Sequence, residues 1–185
     1  MSQVKVSGNA SGTGIFEIAA PNSNTNRTLT LPDNTGTLVS TGSTFAGTGP
    51  AFTAAGSSTQ TFGATTWTKI VFQTETYDTN SCYDNATNYR FTPTVAGYYQ
   101  MNLSMSANDT GAGGVLLYTA FYKNGVSFTA LSNRDDNGQP RNMSQSVIIY
   151  CNGSTDYIEV YGYTSGGTFG AGSARYFSGA MVRAA

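Results

Sequence analysis

The sequence contains no histidine, and only 10% of its 185 residues are charged. Without histidine the chain lacks the usual general base of hydrolases, the commonest zinc ligand and the ordinary serine–histidine pair. Its 9 lysine and arginine residues and 10 aspartate and glutamate residues give a net charge of −1, so no basic field is present to hold nucleic acid. We therefore expect neither an enzyme nor a nucleic-acid-binding protein.

Cysteine and long apolar runs are also scarce. Cys82 and Cys151 lie far apart, and two thiols without histidine make no credible metal site. No stretch of about 18 apolar residues is present, so no membrane span is predicted. Residues 1–5 lack the apolar core of a signal peptide, which favours synthesis in a cytoplasm and exit by another route, such as cell lysis. In that compartment two buried free thiols are expected rather than a disulfide.

Aromatic residues, by contrast, are abundant. The chain has 12 tyrosines, 10 phenylalanines and 1 tryptophan, together with 22 glycines. Threonine, serine and asparagine fill much of the rest, so the surface is expected to carry hydroxyls and amides rather than ions. Such a composition favours a β-rich extracellular or virion protein, and no cofactor is predicted.

The clearest structural signal is an alternating run that begins at Tyr99. Pro93 cannot donate a ladder hydrogen bond, and Gly97 allows a tight corner, so the chain is expected to turn before this run. After the turn, apolar and polar residues alternate with a period of two, which predicts a strand with one buried face. The predicted buried side chains are Tyr99, Met101, Leu103 and Met105, and the predicted solvent-facing ones are Gln100, Asn102, Ser104 and Ser106.

About eight to ten short strands and no helix are predicted after residue 50. Asn124-Gly125 between two apolar runs is the strongest hairpin signal among them. Three polar or glycine-rich stretches are predicted to be surface loops: Thr76–Asn88, Ser132–Asn142 and Gly166–Gly172. Strands at this spacing favour a sandwich or jelly roll.

Residues 1–40 are predicted to be a separate arm, joined by a Gly/Thr/Ser linker over residues 41–50. So few apolar residues cannot order forty residues in isolation, so the arm should fold against copies of itself or another protein. Its stretch Ile15–Ser40, with a Leu-Thr-Leu-Pro-Asp strand and a following Gly-Thr-Leu, resembles an element of bacteriophage tail and fibre proteins. The candidate anchoring residues are Leu29, Leu31, Pro32 and Leu38.

The region 51–185 resembles the globular head of complement C1q, in the tumour-necrosis-factor (TNF) jelly-roll superfamily. Seven positions match that family's spacing of aromatic, Asp and Gly-x-Tyr residues: Phe72, Asp78, Tyr83, Phe91, Gly97, Tyr99 and Met101. Three further segments are similar to the family's Lys-Asn-Gly hairpin, its strand–turn–strand and its closing strand: Phe121–Gly125, Ser146–Val160 and Tyr176–Gly179. The chain departs from the pattern in one extra residue before Phe91 and in Met101 and Leu103, which replace aromatic residues.

The resemblance implies an all-β, antiparallel, ten-stranded jelly roll that forms tight homotrimers. The short, β-rich N-terminal arm, which resembles the phage element, is expected to anchor it. Four tyrosines are candidates for the trimer interface, each weighed against a place in its own chain's core: Tyr99, Tyr118, Tyr122 and Tyr161. Alternation assigns them to faces but does not show which face meets a neighbour.

Acidic residues in the predicted loops, at Asp78, Asp84 and Asp135-Asp136, raise the question of a metal. Some members of the resembled family bind calcium at an acidic apex, and oxygen-rich loops suit that ion. Solvated turns are the favoured interpretation, and calcium is not predicted.

These features together favour a bacteriophage virion protein: a trimeric surface spike, a fibre or a capsid decoration protein. Its arm would bind capsid or tail proteins, and its head could bind host-surface glycans, weakly at each site and more strongly through trivalency. The main alternative is a secreted bacterial carbohydrate- or protein-binding module, and an enzyme such as a depolymerase is the least favoured. Head and tail locations are not distinguished.

Overall fold

The computed structural model describes residues 8, 10–15, 17, 19, 22–26, 28, 49–109, 114–136 and 139–185. The chain divides into two compact units, Met1–Leu38 and Val39–Ala185. The candidate anchoring residues Leu29, Leu31, Pro32 and Leu38 lie outside the described residues, as does most of the predicted linker. Their role stays a prediction.

All regular structure in the described part of the second unit is β-strand. In chain order the strands are β1 (Ala51–Ala55), β2 (Gln60–Gly63), β3 (Thr68–Lys69), β4 (Thr74–Asp78), β5 (Tyr83–Asp84), β6 (Arg90–Phe91), β7 (Ala96–Asp109), β8 (Val115–Lys123), β9 (Val126–Asp135), β10 (Arg141–Asn152), β11 (Ile158–Thr164) and β12 (Thr168–Ala184).

The strands form two antiparallel sheets. Sheet A has the order β10-β7-β12-β1-β4, with β2 also paired to β12. Sheet B has the order β5-β6-β11-β8-β9, with β3 also paired to β11. The predicted all-β, antiparallel fold is confirmed; the ten expected strands appear as twelve segments, because three of them are only two residues long.

The alternation predicted after Tyr99 is confirmed along β7. Its odd-numbered side chains from Tyr99 to Ala107 are buried, and its even-numbered ones are exposed or half-exposed. Gly97 permits a close approach rather than an unusual φ: a Cβ there would lie 2.5 Å from the carbonyl oxygen of Arg183. Glycine is therefore needed where β7 pairs with the end of β12.

Stacked aromatic rings fill the space between the two sheets. Phe52 of β1 stacks on Phe91 of β6 at 4.5 Å and on Tyr83 of β5 at 4.8 Å between ring centroids. Phe177 of β12 contacts Phe52 edge-on at 4.9 Å and also lies within 6.0 Å of Phe121 of β8. These contacts join residues of both sheets, so the cluster holds the sandwich together.

The predicted hairpin at Asn124-Gly125 is present between β8 and β9. Both residues have positive φ, 53° and 78°, as a two-residue turn of this kind requires. The Asn124 side chain also donates to Asp156 at 2.7 Å and accepts from the backbone N–H of Tyr157 at 2.9 Å. It thereby ties this hairpin to the β10–β11 turn.

The predicted loops Thr76–Asn88, Ser132–Asn142 and Gly166–Gly172 are wrong in extent. The first contains the end of β4 and all of β5, because the Asp78 carboxylate accepts from the N–H of Tyr83 at 2.7 Å and folds the chain inward. The second loses residues to β9 and β10, and the third loses residues to β12. The polar and glycine-rich composition of these segments predicted loops, although the chain continues there as strands.

Arg175 of β12 is fully buried. Its guanidinium donates to the carbonyl oxygens of Val71 (2.8 and 3.0 Å), Ser58 (2.6 Å) and Gly172 (2.8 Å). None of the ion pairs within the described residues includes Arg175. Backbone carbonyls therefore solvate this cation, and burial lowers its pKa.

Cys82 and Cys151 are both buried free thiols, as predicted. The Cys82 sulfur lies 3.5 Å from the carbonyl oxygen of Asn80, and burial raises the pKa of Cys151 to about 11. A thiol with a raised pKa and no exposure is a poor nucleophile. Cys151 is therefore not a candidate reactive group, and burial keeps the Cys82 thiol from solvent.

Candidate functional site

The outward side of sheet A is the first candidate surface. We call the outward-facing side chains of its three longest strands the sheet A face. They are Tyr98, Gln100, Asn102, Ser104 and Ser106 on β7, Asn142, Ser144, Ser146, Ile148 and Tyr150 on β10, and Tyr176, Ser178, Ala180 and Val182 on β12. All of them are exposed or half-exposed, and none is charged. The exposed Arg183 lies at the end of this face, where a bulge in β12 pairs it with Tyr98.

Large apolar side chains are exposed on this face. Tyr98, Ile148, Tyr150, Tyr176 and Val182 are between 43% and 53% exposed. Tyr98 and Tyr150 also contact each other across the β7–β10 pair, with centroids 5.5 Å apart. Two charged side chains border these residues: the Lys123 ammonium lies 5.5 Å from the centroid of the Tyr150 ring, and the exposed Arg183 pairs with Tyr98. A group of exposed apolar side chains with charges at its border is typical of a protein–protein interface.

Three polar side chains of the sheet A face bond to one another. The Ser146 hydroxyl donates to the side-chain amide oxygen of Asn102 at 2.8 Å, and the side-chain amide of Gln100 donates to the Ser146 hydroxyl. Because these groups are already paired, covering them would cost less than burying free amides and hydroxyls. The face can therefore be buried by a partner.

An aromatic patch lies on the outward side of sheet B. It consists of Trp67, which precedes β3, with Tyr118 and Tyr122 of β8 and Tyr161 and Tyr163 of β11. The centroid of the Trp67 ring lies 5.3 Å from Tyr163, 5.8 Å from Tyr122 and 6.1 Å from Tyr118. Tyr122 and Tyr161 stack at 4.1 Å. All five side chains are half-buried, so each leaves part of its ring in solvent.

A paired lysine and glutamate border the aromatic patch. Lys69 lies 2.5 Å from Glu159, and its ammonium also donates to the carbonyl oxygen of Asn88 at 3.0 Å. Burial and Glu159 together raise the pKa of Tyr161 to about 12, and burial raises that of Tyr122. Both phenols therefore stay protonated at neutral pH and can donate hydrogen bonds.

The four predicted interface tyrosines fall in two places. Tyr99 is fully buried in its own chain's core, where its hydroxyl donates to Val95 O at 2.6 Å, so it cannot reach a second copy. Its place in the alternation was correct, but the interface role is not. Tyr118, Tyr122 and Tyr161 all belong to the aromatic patch, and an interface role for them stays a prediction.

Sequence reasoning missed Trp67 and Tyr163 as partners of those three tyrosines, and it missed the whole sheet A face. The even-numbered residues of β7 were correctly placed on the outer side, and their lack of charge was visible in the sequence. The missing information was which strands lie beside β7, since that pairing collects Ile148 and Tyr176 on the same face.

The acidic residues considered for calcium do not converge. Among the described residues no group of three or more His, Cys, Asp or Glu side chains could hold a metal ion. Asp135 is fully buried rather than in a solvated turn, and its carboxylate accepts from the N–H of Asp109 at 2.8 Å. Asp136 is exposed and pairs with Arg134. The solvated-turn interpretation is therefore wrong for Asp135.

The lowered pKa of Asp84 predicts that the stability of the fold decreases in acid. Its carboxylate accepts from the N–H groups of Thr87 (2.8 Å), Ala86 (3.0 Å) and Asn88 (3.1 Å), which lower its pKa from 3.8 to about 2. A lowered folded-state pKa contributes stability that is present above pH 3.8 and is lost as the pH falls towards 2. In urea unfolding, the stability advantage of the wild type over Asp84→Asn should shrink across this window. An advantage that is constant with pH would contradict the prediction.

The family profile of the C1q domain matches residues 51–182, which is most of the chain. The chain belongs to the C1q domain family. The match covers every strand of the two sheets, from β1 into β12. No curated protein sequence matches the chain. C1q and TNF-like domains are typically non-enzymatic binding modules.

Solved structures similar to this C1q domain chain come from three settings. The globular domain of zebrafish complement 1qA protein has a TM-score of 0.56 at 15% identity, covering 74% of this chain and 99% of its own. The Eiger TNF from S. frugiperda has a TM-score of 0.52 at 8% identity, and the match covers 74% of this chain and 95% of that one. The PRD1 vertex protein P5 has a TM-score of 0.51 at 14% identity, and the match covers 72% of this chain and 97% of that one. At these identities the likeness shows the C1q/TNF jelly-roll fold alone.

The described residues of this C1q domain protein include no helix that is long and apolar enough to cross a membrane.

Proposed function

We propose that this protein is a homotrimeric structural protein of a bacteriophage virion, displayed on the particle surface as a spike, fibre or capsid decoration. The observation that carries the proposal is the sheet A face, which exposes five large apolar side chains. C1q and TNF-like domains typically form homotrimers, which agrees with a face that another copy of the chain can cover. The role is structural and binding rather than catalytic.

A second exposed apolar surface supports a closed ring of copies. The edge strand β9 exposes Val126, Phe128 and Leu131, which lie on a different part of the domain from the sheet A face. A ring is built from heterologous contacts, in which one surface of each copy meets a different surface of the next. Two distinct apolar surfaces per chain meet this requirement.

The energetics favour assembly through the sheet A face. Burying the remaining half of one large apolar side chain contributes roughly 1 kcal/mol. Five such side chains would contribute roughly 5 kcal/mol per chain, before the entropy lost on association. The apolar side chains should dominate this contact, and Arg183 and Lys123 at the border of the face add a salt-dependent contribution.

Two observations support a virion setting. The phage PRD1 vertex protein P5 is among the similar structures, and the stretch Ile15–Ser40 resembles an element of phage tail and fibre proteins. In the proposal this arm binds the capsid or tail. The secreted bacterial module is not favoured, since nothing in the comparisons points to it. Finding the chain in purified particles of the phage that encodes it would support the virion setting, and its absence from them would contradict it.

The trimer is tested by placing a charge on the sheet A face. The full chain should have a solution mass near three times 19.4 kDa by light scattering. Ala180 is exposed in the C-terminal half of β12, opposite Gln100 of the sheet A face, and Ala180→Glu would bury a carboxylate in the contact. We expect this variant to dissociate, with at least a tenfold rise in the dissociation constant. Ala86→Glu, which places the same charge on an exposed turn between β5 and β6, should remain a trimer.

A monomeric wild-type chain would overturn the trimer proposal. So would an Ala180→Glu variant that keeps the trimeric mass while retaining the far-ultraviolet spectrum of a folded β protein. Equal dissociation of both variants would show a general effect of charge rather than a contact through sheet A.

A further inference from the structure

The proposed assembly uses the sheet A face and the edge strand β9, and it does not use the aromatic patch. The patch lies on the outward side of sheet B, on β8, β11 and the residue before β3, so it stays open in that assembly, and Tyr118, Tyr122 and Tyr161 are then free for another role. In this one respect the inference below rests on the proposed function. Five partly exposed aromatic side chains in mutual contact are more than the core needs, because the core is already filled by Phe52, Phe177 and their neighbours.

The geometry of the patch suits a ring-shaped ligand. Trp67 is inclined by 65° to Tyr118 and by 55° to Tyr122, so its ring stands across the surface that the tyrosines form. Tyr163 completes the corner, inclined by 35° to Trp67. Two aromatic surfaces that meet at an angle can contact one apolar face and one edge of the same small ring.

The chemistry of the patch favours a ligand that is apolar on its faces and polar at its rim. Tyrosine and tryptophan offer large apolar surfaces together with a hydroxyl or N–H donor. The phenols of Tyr118, Tyr122 and Tyr163 lie among the rings, and Lys69 and Glu159 border them. Hexopyranoses have this character, since their C–H faces are apolar and their hydroxyls point outward.

The lack of net charge in the patch favours neutral glycans over anionic ones. Lys69 and Glu159 neutralise each other at 2.5 Å, and the patch residues themselves carry no charge. The whole chain has a net charge of −1, so no positive field attracts sulfated or otherwise anionic polymers. A neutral sugar chain is the occupant that this arrangement complements.

We propose that Trp67, Tyr118, Tyr122, Tyr161 and Tyr163 form a binding site for a neutral hexopyranosyl glycan on the outer face of sheet B. Trp67 and Tyr163 stack against the sugar faces, and the phenols bond to sugar hydroxyls. One site binds weakly, because a few rings and hydrogen bonds must offset the ordering of the sugar. Three copies on one particle would raise the avidity without any new contact.

The chain carries its own reporter for this site. Trp67 is its only tryptophan, so the intrinsic tryptophan emission comes from the patch alone. The full chain is titrated with maltohexaose, cellohexaose and mannohexaose at millimolar concentrations, with heparin as the anionic comparator. We expect a saturable change in emission with at least one neutral hexasaccharide and none with heparin.

Variants assign the signal to the patch. Tyr163→Ala removes one ring, keeps the reporter and should weaken binding about tenfold, whereas Tyr163→Phe keeps the ring and should bind nearly as well. Tyr77→Ala, which removes an exposed tyrosine from β4 of the other sheet, should bind like the wild type. If Tyr163→Ala does not fold, Tyr118→Ala replaces it.

The proposal is overturned if none of the neutral probes changes the emission, if heparin alone does, or if Tyr163→Ala binds like the wild type. The solution mass, measured on the same samples, separates this result from the assembly proposal. A monomer that binds the glycan would refute the trimer and support the site. A trimer that binds none would do the reverse.

Discussion

Replacing Arg175 by methionine should destabilise the fold by about 4 kcal/mol, because three backbone carbonyls lose their hydrogen-bond donors inside the protein. Each buried acceptor left without a donor costs roughly 1–3 kcal/mol. The side chain also fills the space beside Gly56, where an added Cβ would lie 2.4 Å from the Arg175 Cζ atom. Methionine is shorter and cannot reach the carbonyls of Val71, Ser58 and Gly172 together.

Urea unfolding at a fixed protein concentration measures this loss, since dissociation of an oligomer would otherwise shift the midpoint. Arg183→Met is the matched control, because Arg183 lies on the same strand and is exposed. Its effect should be below about 0.5 kcal/mol. Equal losses in the two variants would show that the buried bonds of Arg175 contribute little beyond its charge.

Phe177→Ala should be comparably damaging, with a loss of about 3–5 kcal/mol. The Phe177 ring lies within 6.0 Å of four other rings, namely those of Phe52, Phe72, Tyr83 and Phe121. Its removal leaves a cavity that stacked aromatic neighbours cannot easily fill, because their own contacts fix them.

Phe177→Leu is the graded comparison for this cavity, since leucine keeps much of the volume and should lose less than half as much stability. Thermal and urea unfolding should give the same order of variants. A loss below about 1.5 kcal/mol for Phe177→Ala would show that the core relaxes around the cavity and that the aromatic cluster is not the centre of the fold.

The sequence was sufficient for the fold class because the strands follow simple local rules. The alternation in β7 and the Asn124-Gly125 turn both depend on neighbours a few residues apart, and both are confirmed. The spacing of Phe72, Phe91 and Tyr99 added the arrangement of strands, through the family that shares it.

The surfaces could not be predicted in the same way, because they are built by residues distant in sequence. Trp67 meets Tyr118 and Tyr163 only because β3 pairs with β11 and β11 pairs with β8. The sequence analysis did not single out Arg175, and the carbonyl oxygens that accept its hydrogen bonds come from residues up to 117 positions away. No local pattern carries that information.

The 17-residue strand β12 also constrains how the head is made. It pairs with β1, β2 and β7. Ala180 lies opposite Ala51, the first residue of the first strand, so the two ends of this sequence region meet in sheet A. During translation, sheet A cannot form completely until residues 168–184 have left the ribosome. Until then, the edges of β1 and β7 that pair with β12 have no hydrogen-bond partners. Such distant pairing makes folding slow and leaves the nascent chain open to aggregation. We therefore expect the yield of folded domain to fall at temperatures that favour aggregation of the nascent chain.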